Sequence, residues 1–154
     1  MATEGEQLAR LFLAHRTVTQ QIAHAIPSDQ GDFRPWSGAM AAHDLVRHMA
    51  IAHHRFVQRV RGEEPISDAA SPTPDLPSAV QLLDRLTDED TQGLSDLTAA
   101  QLEHEVIFRD RPMSARFALT LGREHEVHHK AQLLLYGRMI GAELPTPFRW
   151  RAQS

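Results

Sequence analysis

Residues 114–140 read SARFALTLGREHEVHHKAQLLLYGRMI, and this stretch decides how the rest of the chain is understood. No proline interrupts it, Ser114 stands before it, and Gly141 followed by Pro145 and Pro147 stops it. Its apolar residues return every three or four positions, the period of one face of an α-helix. Phe117, Leu121, His125, His129 (or His128), Gln132, Tyr136 and Met139 follow one stripe. Because the ends of that stripe are apolar, it is expected to face a core, with imidazole at its middle. Arg123, Glu126 and Lys130 are expected on the outward side. His125 and His129 would then project one turn apart, at the separation two imidazoles need to grip a single metal ion.

Working back from this helix, three more segments carry the same period. The first runs from about Glu4 to Ile26 through Leu8, Leu11, Phe12, Val18 and Ile22, and Pro27 ends it. A turn-rich stretch follows, and a second helix is expected from Ser37 or Gly38 to about Arg61, with Gly62 as its stop. Between Gly62 and Pro77 four prolines mark a long connection. A third helix is expected from Ser78, as N-cap, to Leu97. Thr98–Pro112 is less regular, with a short helix and then an extended Val106–Phe108. Four amphipathic helices of roughly 20–27 residues predict an all-α fold, a four-helix bundle in one domain spanning 1–154. Short links join antiparallel neighbours, whereas the long link between the second and third helices can carry the chain along the bundle. The expected order is therefore up-down-down-up.

Composition narrows the function. At 154 residues the chain can bury about 68–70% of its unfolded surface without covalent staples. It has no cysteine, which excludes disulfides and thiolate metal sites and fits a reducing compartment. The net charge of -4 leaves no basic footprint for nucleic acid. The first residues lack the cationic and apolar regions of a signal peptide, and no stretch approaches the ~20 apolar residues of a membrane span. A cytoplasmic protein acting on a small molecule, with neither nucleic acid nor membrane as partner, is the expectation.

Two imidazoles make a weak site, and the second helix offers a third among its histidines. Its apolar stripe of Ala41, Leu45, Ala52 and Phe56 includes His48, whereas His43, His53 and His54 lie off it, as expected of solvated or rim groups. His15 and His24 on the first helix are expected at the surface. One nitrogen from the second helix and two from the last would leave open positions on the metal, the catalytic rather than the structural arrangement. Gln132 is placed to orient a ligand or to bond a neighbouring helix, and Glu124 to accept from the outer N–H of a metal-bound imidazole. Arg109, Asp110 and Arg111 read as an exposed loop tip that could touch substrate.

The segments Leu45-Val46-Arg47-His48-Met49 and Glu124-His125-Glu126-Val127-His128-His129-Lys130-Ala131-Gln132 resemble the two signature regions of the DinB/YfiT-like family of metal-dependent enzymes. The resemblance extends to Phe33–Ser37 and to Gly141, Pro145 and Pro147-Phe148, with Lys130-Ala131 replacing the family's usual Arg-Gly. It implies a four-helix bundle with this crossover, a homodimer, and one divalent metal, zinc or nickel, on His48, His125 and His129. It also implies activation of water or of a low-molecular-weight thiol such as bacillithiol or mycothiol, in hydrolysis or S-transfer.

Two other readings compete. His125-Glu126-x-x-His129 spells the zincin motif with Glu126 as general base. No histidine follows His129, however, and Glu126 is better explained as a solvated residue paired with Lys130. The other is a dimeric binding bundle with a vestigial metal site, in which Trp36, Phe148, Arg149 and Trp150 form a rim or interface instead of packing under loops.

Overall fold

Helix boundaries follow from where free N–H groups find acceptors. A computed structural model describes residues 1–70 and 72–146. Helix α1 (Glu4–Ala25) opens with a capping box in which Thr3 and Glu6 satisfy each other's backbone N–H. Helix α2 (Ala42–Arg61) has no side-chain cap. The carbonyls of Phe33 and Gly31 accept from the N–H groups of Ala42 and His43 instead, both at 3.0 Å. The loop thus folds back to cap the helix, which starts four to five residues later than the sequence suggests. Helix α3 (Leu76–Ser95) is capped by Asp75, whose carboxylate accepts from the N–H of the expected cap, Ser78; Pro77 sits inside the first turn. A short helix α4 (Ala99–Glu103) leads into strands β1 (Glu105–Phe108) and β2 (Arg111–Ser114). Helix α5 (Ala115–Ile140) starts on Ser114. Gly62 and Gly141 end α2 and α5 at φ 76° and 83°, where a side chain would be strained.

Side-chain contacts fix the directions of the long helices. A Cβ on Gly5 would lie 2.6 Å from the Leu94 carbonyl oxygen, so the start of α1 meets the end of α3 and the two are antiparallel. Gly31, bonded to the start of α2, packs on Leu76 at the start of α3, and Gly93 packs on Val57 farther along both helices, so these run parallel. Tyr136, late in α5, donates to the carbonyl oxygen of Met40 just before α2, making that pair antiparallel. Arg116 and Glu4 pair at the starts of α5 and α1. The order is up-down-down-up, as expected, with α1 and α2 each packed on α3 and α5. The 62–75 connection makes the parallel step possible.

The core has two apolar clusters with a polar layer between them. One gathers Ile22, Leu45, Met49, Leu83, Leu86 and Leu133; the other gathers Phe12, Phe56, Leu94, Leu102 and Leu119. Between them lie Arg16, Thr19, His53, Thr87, Asp90 and Glu126, all buried. This corrects the stripe expected of α5. Phe117 and Met139 are more than half exposed, whereas Glu126 and Lys130, expected outside, are buried. The helix is rotated so that its small residues Ala115, Ala118 and Gly122 face inward. A Cβ at Gly122 would meet the Phe56 ring at 3.1 Å, which shows how closely α2 and α5 approach.

The extended segment foreseen near Val106 is one arm of a two-stranded hairpin, in the register Val106 to Met113 and Phe108 to Arg111. Its turn is Arg109-Asp110, at φ 48° and 62°. Two positive φ values match the right-handed twist of a tight hairpin but cost a non-glycine residue roughly 1–2 kcal/mol each. The hairpin packs on α5 and α2, bringing the Phe108 ring to 4.6 Å, centroid to centroid, from Phe56.

Candidate metal centre

His48 from the middle of α2 meets His125 and His129 from the middle of α5. Its Nε2 lies 2.9 Å from Nε2 of His125 and 3.2 Å from Nε2 of His129. Ligands roughly 2.0–2.1 Å from a tetrahedral metal stand roughly 3.3 Å apart, which both distances from His48 approach, and all three donor nitrogens lie within 4.8 Å of one another. The i, i+4 step of α5 supplies two of them on adjacent turns, and the antiparallel crossing of α2 supplies the third. The three donors could hold a metal ion.

Their electrostatics favour the same use. Burial, then the charge of its neighbours His129 and His48, lowers the His125 imidazole to about 4. Burial likewise lowers His48, helped by His129. His129 is lowered by burial against the opposing hydrogen bond from Gln132. All three are therefore neutral near pH 7, with lone pairs available. Without a cation the two contacts of His48 Nε2 can rest on a single shared proton, whereas a cation at the centre would take a lone pair from each of the three rings. The Gln132 carbonyl oxygen accepts from Nδ1 of His129 at 2.6 Å, which places that ring's proton on Nδ1 and turns the Nε2 lone pair toward the cluster. Glu124 is exposed, and among the described residues no hydrogen bond joins it to an imidazole.

Glu126 overturns its expected place. It is 1% exposed and accepts from Arg16 Nε at 3.0 Å, from an Arg16 terminal nitrogen at 2.7 Å and from the Thr19 hydroxyl at 2.6 Å. Burial alone would raise its pKa, but the Arg16 charge and these bonds hold it below the ordinary glutamate range. It is neither a solvated partner of Lys130 nor available as a zincin base, since Arg16 holds it in the bundle interior. Lys130 turns inward too, 3.0 Å from Nδ1 of His15, which is half-buried rather than at the surface.

The remaining histidines stay out of the cluster. His53, expected at the rim, is buried, stacked on Phe12 at 3.9 Å and bonded to Asp90 at 2.8 Å. His54 bonds the other Asp90 oxygen at 2.6 Å. Burial pushes the Asp90 carboxyl up, but these two histidines outweigh it and hold it low. His43 donates to the Gly31 carbonyl, His24 is exposed beside Asp84, and His128 is exposed with its ring 4.8 Å from that of His129. Trp36 is 61% exposed rather than packed under a loop; Phe148, Arg149 and Trp150 lie outside the described residues. Beside the three histidines opens a cavity of about 410 Å³, with His48, His125, Phe56 and Phe108 in its wall. Arg109, on the hairpin turn, lines it as well. Sequence reading missed the Arg16–Glu126 and Asp90–His53–His54 groups; the one available signal was a charged Arg16 on the buried stripe of α1, one turn after Phe12.

The sequence profile of the DinB family matches residues 1–151. The chain belongs to the DinB family. It is 31% identical over 147 residues to YjoA of Bacillus subtilis (strain 168), covering 92% of this chain and 95% of that one. The crystal structure of that DinB-like protein superposes with a TM-score of 0.81 over 94% of this chain and 99% of the other. A DinB-like protein of Bacillus cereus ATCC 10987 matches at TM-score 0.80 and 17% identity, over 92% and 95% of the two chains. YfiT of Bacillus subtilis matches at TM-score 0.70 and 21% identity, over 90% and 89%; it is described as "a probable metal-dependent hydrolase with an unusual four-helix bundle topology". The DinB fold seen in these structures is the bundle described above. Among the described residues of this DinB chain, no helix is long and apolar enough to cross a membrane.

Proposed function

We propose that this DinB-family protein binds one divalent metal ion, zinc or nickel, through His48, His125 and His129, and works as a metal-dependent hydrolase of a small molecule. The observation that carries the reading is the convergence of three Nε2 atoms, two of them 2.9 and 3.2 Å from the third, beside an open cavity. The YfiT description supports the reaction class. Bound there, a divalent metal would lower the pKa of a coordinated water or thiol into the neutral range. The chain's own contribution is to keep three imidazoles neutral by burial, to hold the His129 tautomer through Gln132, and to leave one side of the cluster open to the cavity. Glu126 is committed to Arg16 and takes no proton in this site. Thiol transfer with bacillithiol or mycothiol as co-substrate would use the same three ligands and differs only in the nucleophile admitted. From the family resemblance the reading extends to a cytoplasmic homodimer, checked by sedimentation velocity.

The test is elemental analysis of the untagged protein, purified without chelator, beside His48→Ala and His129→Ala. The native protein should carry about one metal ion per chain and both variants, folded by circular dichroism, should lose it. A native protein that holds no metal and cannot be loaded overturns the reading. Hydrolysis and thiol-transfer screens of the loaded protein then separate the two nucleophiles.

A further inference from the structure

Among the described residues, the cavity beside the histidines is lined by four arginines, Arg47, Arg55, Arg59 and Arg109, against a single carboxylate, Asp68. In a chain of net charge -4 this concentrates positive charge at one place. Three of the arginines share a face of α2 at multiples of the four-residue step, and the fourth arrives on the hairpin turn. The arginines divide into two pairs. Arg47 and Arg55 are tied to the connection after α2: Arg55 donates to the Ile66 carbonyl at 2.9 Å and lies 3.2 Å from the Asp68 carboxylate, and Arg47 donates to the Asp68 carbonyl. Arg59 and Arg109 instead both reach one ring, their guanidinium carbons 5.2 and 5.8 Å from the centroid of Phe108. Among the described residues neither of these two meets a carboxylate.

We infer that the cavity selects a small organic anion, a carboxylate or phosphate monoester, with its charged end between Arg59 and Arg109 and its apolar body along Phe56 and Ile51 toward His48 and His125. Guanidinium groups present paired N–H donors that match either oxyanion. A volume of about 410 Å³ suits a metabolite-sized molecule. The turn residue Arg109 sits at φ 48°, a conformation glycine adopts more readily, so Arg109→Gly removes the guanidinium without straining the turn. The inference rests on the histidine cluster being the reactive end, but the anion site itself belongs to the arginines and is testable without metal.

The probes are 3-phenylpropionate, phenyl phosphate and the neutral 3-phenylpropanamide, titrated calorimetrically into metal-loaded and chelator-treated protein. The variants are Arg59→Met, which keeps the stem on Phe108, and Arg109→Gly, which relaxes the turn; Arg85→Met, on the exposed face of α3, controls for net charge. At least one anion should bind roughly tenfold or more tighter than the amide. Arg59→Met and Arg109→Gly should each erase most of that preference without lowering the melting temperature, and Arg85→Met should leave it intact. Stronger binding of phenyl phosphate assigns the phosphate ester, and stronger binding of 3-phenylpropionate the carboxylate. An anion preference that survives metal removal and is lost in both arginine variants sustains the inference even if the metal reading fails. Equal binding of anion and amide, no binding of any probe, or a preference that ignores both arginine changes would overturn it.

Discussion

Glu126→Gln removes the carboxylate around which the polar layer of the bundle is organised. Arg16 is fully buried, and Glu126 supplies two of its hydrogen bonds and its counter-charge; Thr87 and the Met49 carbonyl take the rest. The amide keeps the shape and loses the charge, leaving an uncompensated guanidinium between two apolar clusters. Breaking a buried pair in this way costs about 3–5 kcal/mol, a large share of the ~5–15 kcal/mol typical of a domain. With a urea slope of about 2 kcal/mol per M, the unfolding midpoint should fall by about 2 M. The melt belongs in excess chelator, so that metal binding does not mask the loss. Replacing both partners, as in Arg16→Met with Glu126→Leu, should recover at least half of the stability, because no charge is then stranded. The pair's contribution is present above the ordinary glutamate range and fades as pH falls through the depressed folded value of Glu126. Glu126→Gln should also retain about one metal ion per chain, since this carboxylate does not face the histidines. A midpoint shift below about 0.5 M, or loss of metal from a folded variant, would refute the assignment of Glu126 to Arg16.

Two further outcomes follow from the histidine cluster. Gln132→Ala frees Nδ1 of His129 and should weaken metal binding about 10–100-fold in a competition titration while the far-ultraviolet spectrum is unchanged; unchanged affinity would show that the tautomer is not held by this bond. In metal-free protein, His125 resists protonation down to about 4, against 6.5 for an ordinary imidazole, so the unfolded chain binds more protons between these values. Stability should therefore fall as pH drops from about 6.5 toward 4, and His125→Gln should flatten that part of the profile in urea melts.

Much of this was legible along the chain because helices repeat locally. The 3.6-residue period, the stops at Pro27, Gly62 and Gly141, and the Pro-rich link after α2 are enough to give four long helices and the up-down-down-up order. The i, i+4 spacing of His125 and His129 is likewise fixed once α5 is helical, and His48 lies on the matching side of α2. Even part of the arginine surface was written there: Arg47, Arg55 and Arg59 recur at multiples of four, a pattern that means nothing until something packs across it.

What the tertiary structure alone decided is the rotation of each helix and the partners met across the bundle. Periodicity gives a stripe but not which of two adjacent stripes turns inward when both carry apolar and polar residues. On α5 the close approach to Phe56 favours the side bearing Ala118 and Gly122, which carries Glu126 and Lys130 inside and leaves Phe117 and Met139 out. Arg16, 110 positions away, makes the buried carboxylate tolerable. Likewise Asp90 makes sense of a buried His53, and a hairpin turn at positive φ sets Arg109 beside an α2 arginine surface. Such pairings join residues far apart in the chain, where spacing holds no information about distance. The sequence determined the helices and the spacing of their histidines; packing determined which charges are paired in the interior and which remain at the cavity.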